Sequence, residues 1–127
     1  MELASVPEAW NAKMQTYLGI DTTGDFKNGC LQDVHWPAGL FGYFPTYSLG
    51  AMMAAQLLSA AKRDIPQLLE QIAVGDFSLL LGWLRDHVHG HGRRYPVHEL
   101  LTRATGEGLN PEYFLTHLKQ RYLATDE

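Results

Sequence analysis

The sequence of 127 residues has a single cysteine, few charged side chains, and no long run of apolar or basic residues. Cys30 cannot form a disulfide within the chain, which is typical of proteins in a reducing compartment, so we expect a cytoplasmic protein. No stretch reaches the roughly 18 uninterrupted apolar residues of a membrane span, and the first residues lack a signal-peptide pattern. We therefore expect neither export nor membrane insertion.

Charge and composition narrow the class of protein further. Ten Lys and Arg against fourteen Asp and Glu give a formal net charge of -4. Without a basic run to contact phosphates, we expect no nucleic-acid partner. An apolar share of 46% and a charged share of 19% are typical of a folded globular protein. The length suits one domain, so we expect residues 1–127 to form a single segment.

Helical periodicity predicts an all-α fold with about six helices and no strand. The first helix runs from about Pro7 to Gly19. Another, from Pro45 to about residue 63, is apolar on nearly every side and should need cover all round. Helix-start residues indicate four more helices, which begin near Asp64, Asp76, Pro96 and Asn110.

Residues 21–44 show neither helical nor strand periodicity and contain several glycines. A segment this long without regular structure is usually either functional or disordered. It is rich in large apolar side chains, so disorder is a poor interpretation. We predict an irregular but packed and structured segment.

Within that segment, Gln32, Asp33 and His35 lie beside Trp36. Polar side chains among apolar ones need partners. They could satisfy loop backbone groups. Alternatively, Asp33 could orient His35 so that the imidazole donates to a substrate carboxylate or carbonyl. The residues alone leave both alternatives open.

The aromatic run from residue 39 to 47 leads directly into the apolar helix. We expect Phe41 and Phe44 to be core residues. Tyr43 and Tyr47 could also pack in the core, but phenolic hydroxyls near a helix start can bind an anion or polarise a carbonyl.

A histidine-rich stretch precedes two arginines. Positions two apart on a helix point to opposite faces, so of His87, His89 and His91 only the first and last could share a metal ion. A helix ending near Gly90 is the alternative. Arg93 and Arg94 could form surface ion pairs with Asp86 or Glu99, or bind an anion.

These features together resemble a known family. The matching stretches are 7–11 (Pro-Glu-Ala-Trp-Asn), 17–19, 31–36 (Leu-Gln-Asp-Val-His-Trp), 39–50 (Gly-Leu-Phe-Gly-Tyr-Phe-Pro-Thr-Tyr-Ser-Leu-Gly), 54–56, 83–84, 89, 92–93, 95, 99–100, 104–106 and 109–111. In this order they are similar to the C-terminal portion of the carboxypeptidase Taq family.

The resemblance implies a zinc-type metallopeptidase that removes C-terminal amino acids from peptides, within a larger helical fold around a groove. In such enzymes an H-E-x-x-H helix supplies metal ligands and the water-activating glutamate. This chain contains no H-E-x-x-H. The resemblance implies that His35 and Tyr47 are catalytic residues. It implies that the substrate-binding residues are Gln32, Asp33, Tyr43 and Arg93.

Two expectations follow from the missing motif. The chain alone should be inactive, because it lacks the Lewis acid that lowers the pKa of bound water. It should also form a homo-oligomer, because the apolar helix would otherwise expose a large patch. One alternative is a non-catalytic helical binding or dimerisation module. The other is a small metalloprotein that uses His87, His91 and His98.

Overall fold

The computed structural model describes residues 2–123, which contain six α-helices and no β-strand. Within those residues the predicted all-α fold is confirmed. No helix among them is long and apolar enough to cross a membrane. The chain divides into two compact units, residues 1–44 and 45–127, and each is described separately. That residues 1–127 form one segment remains a prediction.

The first unit has one helix. After a short 3-10 turn at Leu3–Ser5, α1 spans Val6–Leu18 and has a proline in its first turn, as predicted. Gly19 ends it with φ +68°, and its N–H donates to the Gln15 carbonyl at 3.1 Å. The next N–H, that of Ile20, reaches the Met14 carbonyl at 3.4 Å. The bond from Gly19 to Gln15 is that of an αL C-cap, for which a left-handed glycine is favoured.

Backbone turns organise residues 20–44. Donor–acceptor distances of 2.8–3.0 Å join Gly29 N to Asp25 O, Leu31 N to Phe26 O, and Leu40 N to His35 O. A Cβ on Gly29 would lie 2.4 Å from the Asp25 carbonyl oxygen, so this turn requires glycine. The segment is thus irregular but structured, as its sequence predicts.

The apolar side chains of this unit are less buried than expected. Among residues 2–44 only Gly29 and Cys30 are buried. Phe41 and Phe44, which we expected in a core, are 75% and 64% exposed. The physical reason is size, because one helix and a series of turns enclose too little volume to bury several large rings.

The second unit contains five helices around a small core. They are α2 (Pro45–Asp64), α3 (Leu68–Ala73), α4 (Ser78–His87), α5 (Val97–Thr105) and α6 (Glu112–Tyr122). The long helix α2 contacts α3, α5 and α6. The buried core cluster consists of Ala60, Ala61, Leu68, Trp83 and Ala104. Alanines at the centre allow the helices to approach closely.

Helix α2 is covered unevenly. Its buried residues, Gln56, Ala60 and Ala61, all lie in its second half. In its first half, Tyr47 is 58% exposed and Leu49 is 43% exposed. Beside this half lies an open apolar groove of about 300 Å³, lined by Gly50, Met53, Ala54, Leu57, Val88, Val97, Leu100 and Leu101. The burial on all sides that the sequence predicts for α2 is therefore found only in its second half.

Two helix starts follow the sequence signals closely. The Asp76 carboxylate accepts from the Ser78 N–H at 2.8 Å, and the Asn110 amide oxygen accepts from the Glu112 N–H at 3.0 Å. Both side chains satisfy N–H groups that a helix start leaves without an intrahelical partner. The start predicted at Asp64 was wrong, because α2 continues to Asp64 and α3 begins only at Leu68.

Gln56 ties the loop between α5 and α6 to α2. Its side chain is 1% exposed. Nε2 donates to Thr105 Oγ1 at 3.0 Å and to the Gly108 carbonyl at 2.9 Å, while Oε1 accepts from the Asn110 N–H at 2.9 Å. A buried amide with partners on both ends fixes the course of this loop.

Candidate functional site

The first unit brings Asp33 and His35 into direct contact. One carboxylate oxygen of Asp33 accepts from the backbone N–H of His35 at 2.8 Å and lies 2.5 Å from ring Nδ1. Both side chains are only 14% exposed. The turn that follows, with the Leu40 N–H on the His35 carbonyl, holds the backbone at this point. The imidazole is therefore oriented by a residue only two positions away.

Aromatic rings enclose the same imidazole. The Tyr43 ring stacks on His35 with centroids 5.0 Å apart and planes 29° apart. The Phe44 ring meets it edge-on at 6.1 Å. Gly42, with φ +75°, lets the chain turn immediately before these two rings. The aromatic run thus positions the histidine as well as leading into α2.

The electrostatics of the pair are those of a carboxylate and its orienting partner. The pKa of the Asp33 carboxyl lies below its ordinary value, chiefly because the His35 backbone N–H donates to it, with a smaller contribution from the imidazole. A carboxylate only accepts hydrogen bonds, so Nδ1 carries the proton in this contact. In the neutral ring, Nε2 is then the nitrogen that can accept a proton.

The other predicted site residues are placed differently. Gln32 is exposed, and its backbone N–H donates to the Gly29 carbonyl at 3.1 Å. Tyr47 lies in the first turn of α2, and Arg93 is exposed in the turn after the 3-10 segment His89–His91, both in the second unit. Of the six predicted residues, the structure joins Asp33 to His35 by a hydrogen bond and Tyr43 to His35 by ring stacking, all within the first unit.

Arg93, the first arginine after the histidine-rich stretch, differs from the neighbouring arginines in its contacts. Arg93 forms no ion pair or hydrogen bond with any residue from 2 to 123. The expected ion pair to Glu99 forms with Arg103 instead, at 2.8 Å. Arg94 and Arg103 lie over the Tyr95 ring at 5.5 and 4.1 Å from its centroid. Arg93 is therefore available to a ligand or to another part of a larger protein.

The histidine-rich stretch is not one continuous helix. Helix α4 ends at His87, so His87 and His91 do not share a helical face as supposed. A Cβ on Gly90 would lie 2.7 Å from the Arg85 carbonyl oxygen, so the chain turns sharply there. His87 stacks on Trp83 at 4.4 Å, and its Nδ1 donates to the Trp83 carbonyl at 2.9 Å.

No three His, Cys, Asp or Glu side chains between residues 2 and 123 come together as a group that could hold a metal ion. These residues therefore do not fit a divalent metal ion by themselves.

Sequence reasoning missed one contact of the site. Phe44 was interpreted as a core residue, yet its ring lies against His35. The available signal was its position next to Tyr43, which stacks on the same imidazole. Periodicity cannot identify such a contact, because it depends on the turn at Gly42.

Several known proteins are similar to this chain. The family model described as "Carboxypeptidase Taq (M32) metallopeptidase" matches residues 1–122. Thermostable carboxypeptidase 1 of Pyrococcus furiosus is 43% identical over 118 residues, which make up 93% of this chain and 23% of that protein. Carboxypeptidase 1 of Bacillus subtilis is 42% identical over 122 residues, or 96% of this chain and 24% of that protein.

The structural comparison agrees. Metallocarboxypeptidase 1 of Trypanosoma cruzi superposes with a TM-score of 0.92 at 48% identity, covering 98% of this chain and 26% of that one. The M32 carboxypeptidase of Deinococcus radiodurans gives a TM-score of 0.90 at 39% identity, covering 96% of this chain and 24% of that one. The chain spans about a quarter of the length of the curated relatives it matches.

Proposed function

Because the chain belongs to the carboxypeptidase Taq (M32) metallopeptidase family, we propose that it supplies the substrate-facing wall of a metallocarboxypeptidase that releases C-terminal amino acids from peptides. The observation that carries this proposal is the Asp33–His35 pair, an imidazole held by a carboxylate and enclosed by aromatic rings. Such an arrangement suits a group that acts on a substrate, because the ring is oriented before the substrate binds.

His35 has the central role in this wall. Asp33 fixes the ring orientation and keeps the proton on Nδ1, while Tyr43 limits rotation of the ring by stacking. Held in this way, the ring in its doubly protonated form can donate from Nε2–H to a peptide carbonyl or terminal carboxylate. A preorganised ring is useful in catalysis because it need not reorient as charge develops on the substrate.

Tyr47 and Arg93 have supporting roles in the proposal. A phenol in the first turn of α2 can donate to an oxyanion, and we assign Tyr47 this role in the reaction. The planar guanidinium of Arg93 suits a carboxylate, so it would bind the C-terminus of the peptide. Gln32, which is exposed beside the pair, would donate to the peptide backbone.

The protein ligands of the metal ion in such an enzyme would not be supplied by these residues. The family implies a divalent metal ion in the complete enzyme, and we propose zinc. The described side chains do not assemble ligands for it. Its ligands and the water-activating glutamate would lie on the H-E-x-x-H region, which this sequence does not contain. The chain alone is therefore proposed to be inactive.

The direct test is a peptidase assay with added zinc or cobalt. The chain is assayed alone and after mixing with the remainder of a family member that carries H-E-x-x-H. Activity only in the mixture supports the proposal. Activity of the lone chain, or an active remainder that the chain does not stimulate, contradicts it.

A second candidate is a non-catalytic helical module that pairs with another copy of itself. The observation that favours it is the apolar groove beside the first half of α2. In that case the chain forms a dimer and has no effect on a peptidase. We propose a cytoplasmic location for either candidate function. The single buried cysteine, which forms no disulfide, supports it.

A further inference from the structure

A second, polar cleft lies between α2 and α6, within the second unit. Its volume is about 370 Å³, which is within the range of small-molecule sites. Ala55 and Leu58 contribute apolar surface to it. The polar side chains that line it include Ser59, Lys62, Glu112, Thr116, His117 and Gln120. None of the residues assigned to peptide hydrolysis lines this cleft.

The charged groups of the cleft are not paired with one another. The side chains of Lys62, Glu112 and His117 form no ion pair or hydrogen bond with any described residue, although all three line one cleft. Elsewhere in the same unit opposite charges do pair, as Arg103 and Glu99 do at 2.8 Å. The cleft is therefore lined by a carboxylate and two basic side chains that do not pair with one another.

We propose that this cleft binds a small zwitterion, a free amino acid or dipeptide with an apolar side chain. Glu112 accepts from the ligand's ammonium group, and Lys62 and His117 hold its carboxylate. Ser59 and Thr116 offer hydroxyls to the remaining polar atoms, and Leu58 contacts the apolar side chain. A ligand with both charges can pair with the carboxylate and with the basic side chains, whereas a singly charged ligand pairs with only one kind of group. The inference rests on this charge arrangement and not on the proposed peptidase function.

The test is an amide chemical-shift titration of the chain with leucine and with glycyl-leucine. N-acetyl-leucine, which keeps only the carboxylate, and leucinamide, which keeps only the ammonium group, are the matched ligands. We expect saturable shifts at the cleft residues with at least one zwitterion, and affinities at least about fivefold weaker for both singly charged ligands. The tighter of the two zwitterions identifies an amino acid or a dipeptide as the ligand.

Two variants and a control complete the test. Lys62→Met and Glu112→Gln each change an exposed side chain, and each should lower the affinity for the zwitterion about tenfold. Lys119→Met, on α6 but outside the cleft, should leave the affinity unchanged. A dispersed amide spectrum for each variant checks that it is folded. The proposal is overturned if no zwitterion gives saturable shifts up to about 10 mM. Equal binding of N-acetyl-leucine, or equal weakening by Lys119→Met, also overturns it.

Discussion

Asp33 contacts His35 twice through one carboxylate oxygen, at the backbone N–H and at ring Nδ1. Both contacts span only two residues, so this short turn fixes the ring orientation largely by itself. The pair therefore does not depend on the rest of a larger fold for its geometry. Its properties can be measured in the isolated chain, before any question of catalysis.

The first prediction concerns the titration of Asp33. Hydrogen bonding from His35 lowers the Asp33 pKa from its ordinary value of 3.8. A lowered folded-state pKa contributes stability that is present above the unfolded pKa and is lost as the pH falls through the folded one. We expect the free energy of unfolding to fall below about pH 4. Carboxyl NMR of Asp33 measures the shift directly.

Asp33→Asn is the control for that titration. The amide does not titrate, so the variant should lose less stability on acidification than the unchanged chain does. Asp21, Asp25, Asp64, Asp76 and Glu107 also have lowered pKa values, so acid sensitivity should be reduced but not abolished. An Asp33 midpoint at or above 3.8 would show that the contact with His35 is not maintained in solution.

The second prediction concerns the buried amide of Gln56. Gln56→Leu leaves the Gly108 carbonyl and the Asn110 N–H without the partners they have now. Removing the hydrogen bonds of this buried amide should lower the free energy of unfolding by about 2–4 kcal/mol. Urea denaturation measures the loss. Gln15→Leu, at an exposed position of α1, should change it by less than about 0.5 kcal/mol. Equal effects of the two substitutions would refute a clamping role for Gln56.

The third prediction is that alanine substitutions at two glycines change the stability of the chain in opposite directions. A methyl group on Gly90 would meet the Arg85 carbonyl oxygen at 2.7 Å, so Gly90→Ala should destabilise the chain by about 1–3 kcal/mol. Gly82 lies within α4 with nothing within 4 Å of its added Cβ, so Gly82→Ala should stabilise by about 0.5–1 kcal/mol. Thermal unfolding compares the two variants. If both changes had the same sign, the close approach at Gly90 would be absent in solution.

Helix boundaries could be predicted where a local group determines them. Gly19 ends α1, and Asp76 and Asn110 accept from the first turns of α4 and α6, because these interactions span only a few residues. The exposure of Phe41 could not be predicted, because it depends on how much volume the first unit encloses. The end of α4 at His87 lies close to the helix end that Gly90 indicates in the sequence, and the close approach of Gly90 to the Arg85 carbonyl explains why a glycine is needed there.

The candidate site was predictable in part. Asp33 and His35 are close in sequence, so their pairing was one of two stated alternatives. The stacking of Tyr43 on the imidazole depends on the turns between residues 35 and 43, which have no periodic signal. The relation of Tyr47 and Arg93 to a substrate depends on tertiary structure beyond any local pattern.

The fourth prediction concerns self-association. The apolar groove and the exposed first half of α2 should make the isolated chain form oligomers as its concentration rises. Ala54→Glu places a charge in the groove and should shift the chain towards monomer. Gln67→Glu adds the same charge outside the groove and should have little effect. Light scattering measures both, and a monomer of the unchanged chain at high concentration would contradict the prediction.

The most direct test of the account is a chimaera. In it, this chain replaces the matching quarter of the Pyrococcus furiosus carboxypeptidase, and release of C-terminal amino acids from a peptide is measured. We predict an active chimaera in which His35→Ala lowers kcat/KM by about 10²–10⁴-fold without loss of bound metal. His98→Ala, at an exposed position, should leave activity unchanged. Full activity of the His35→Ala chimaera would contradict the assignment of this surface to the peptide-binding groove.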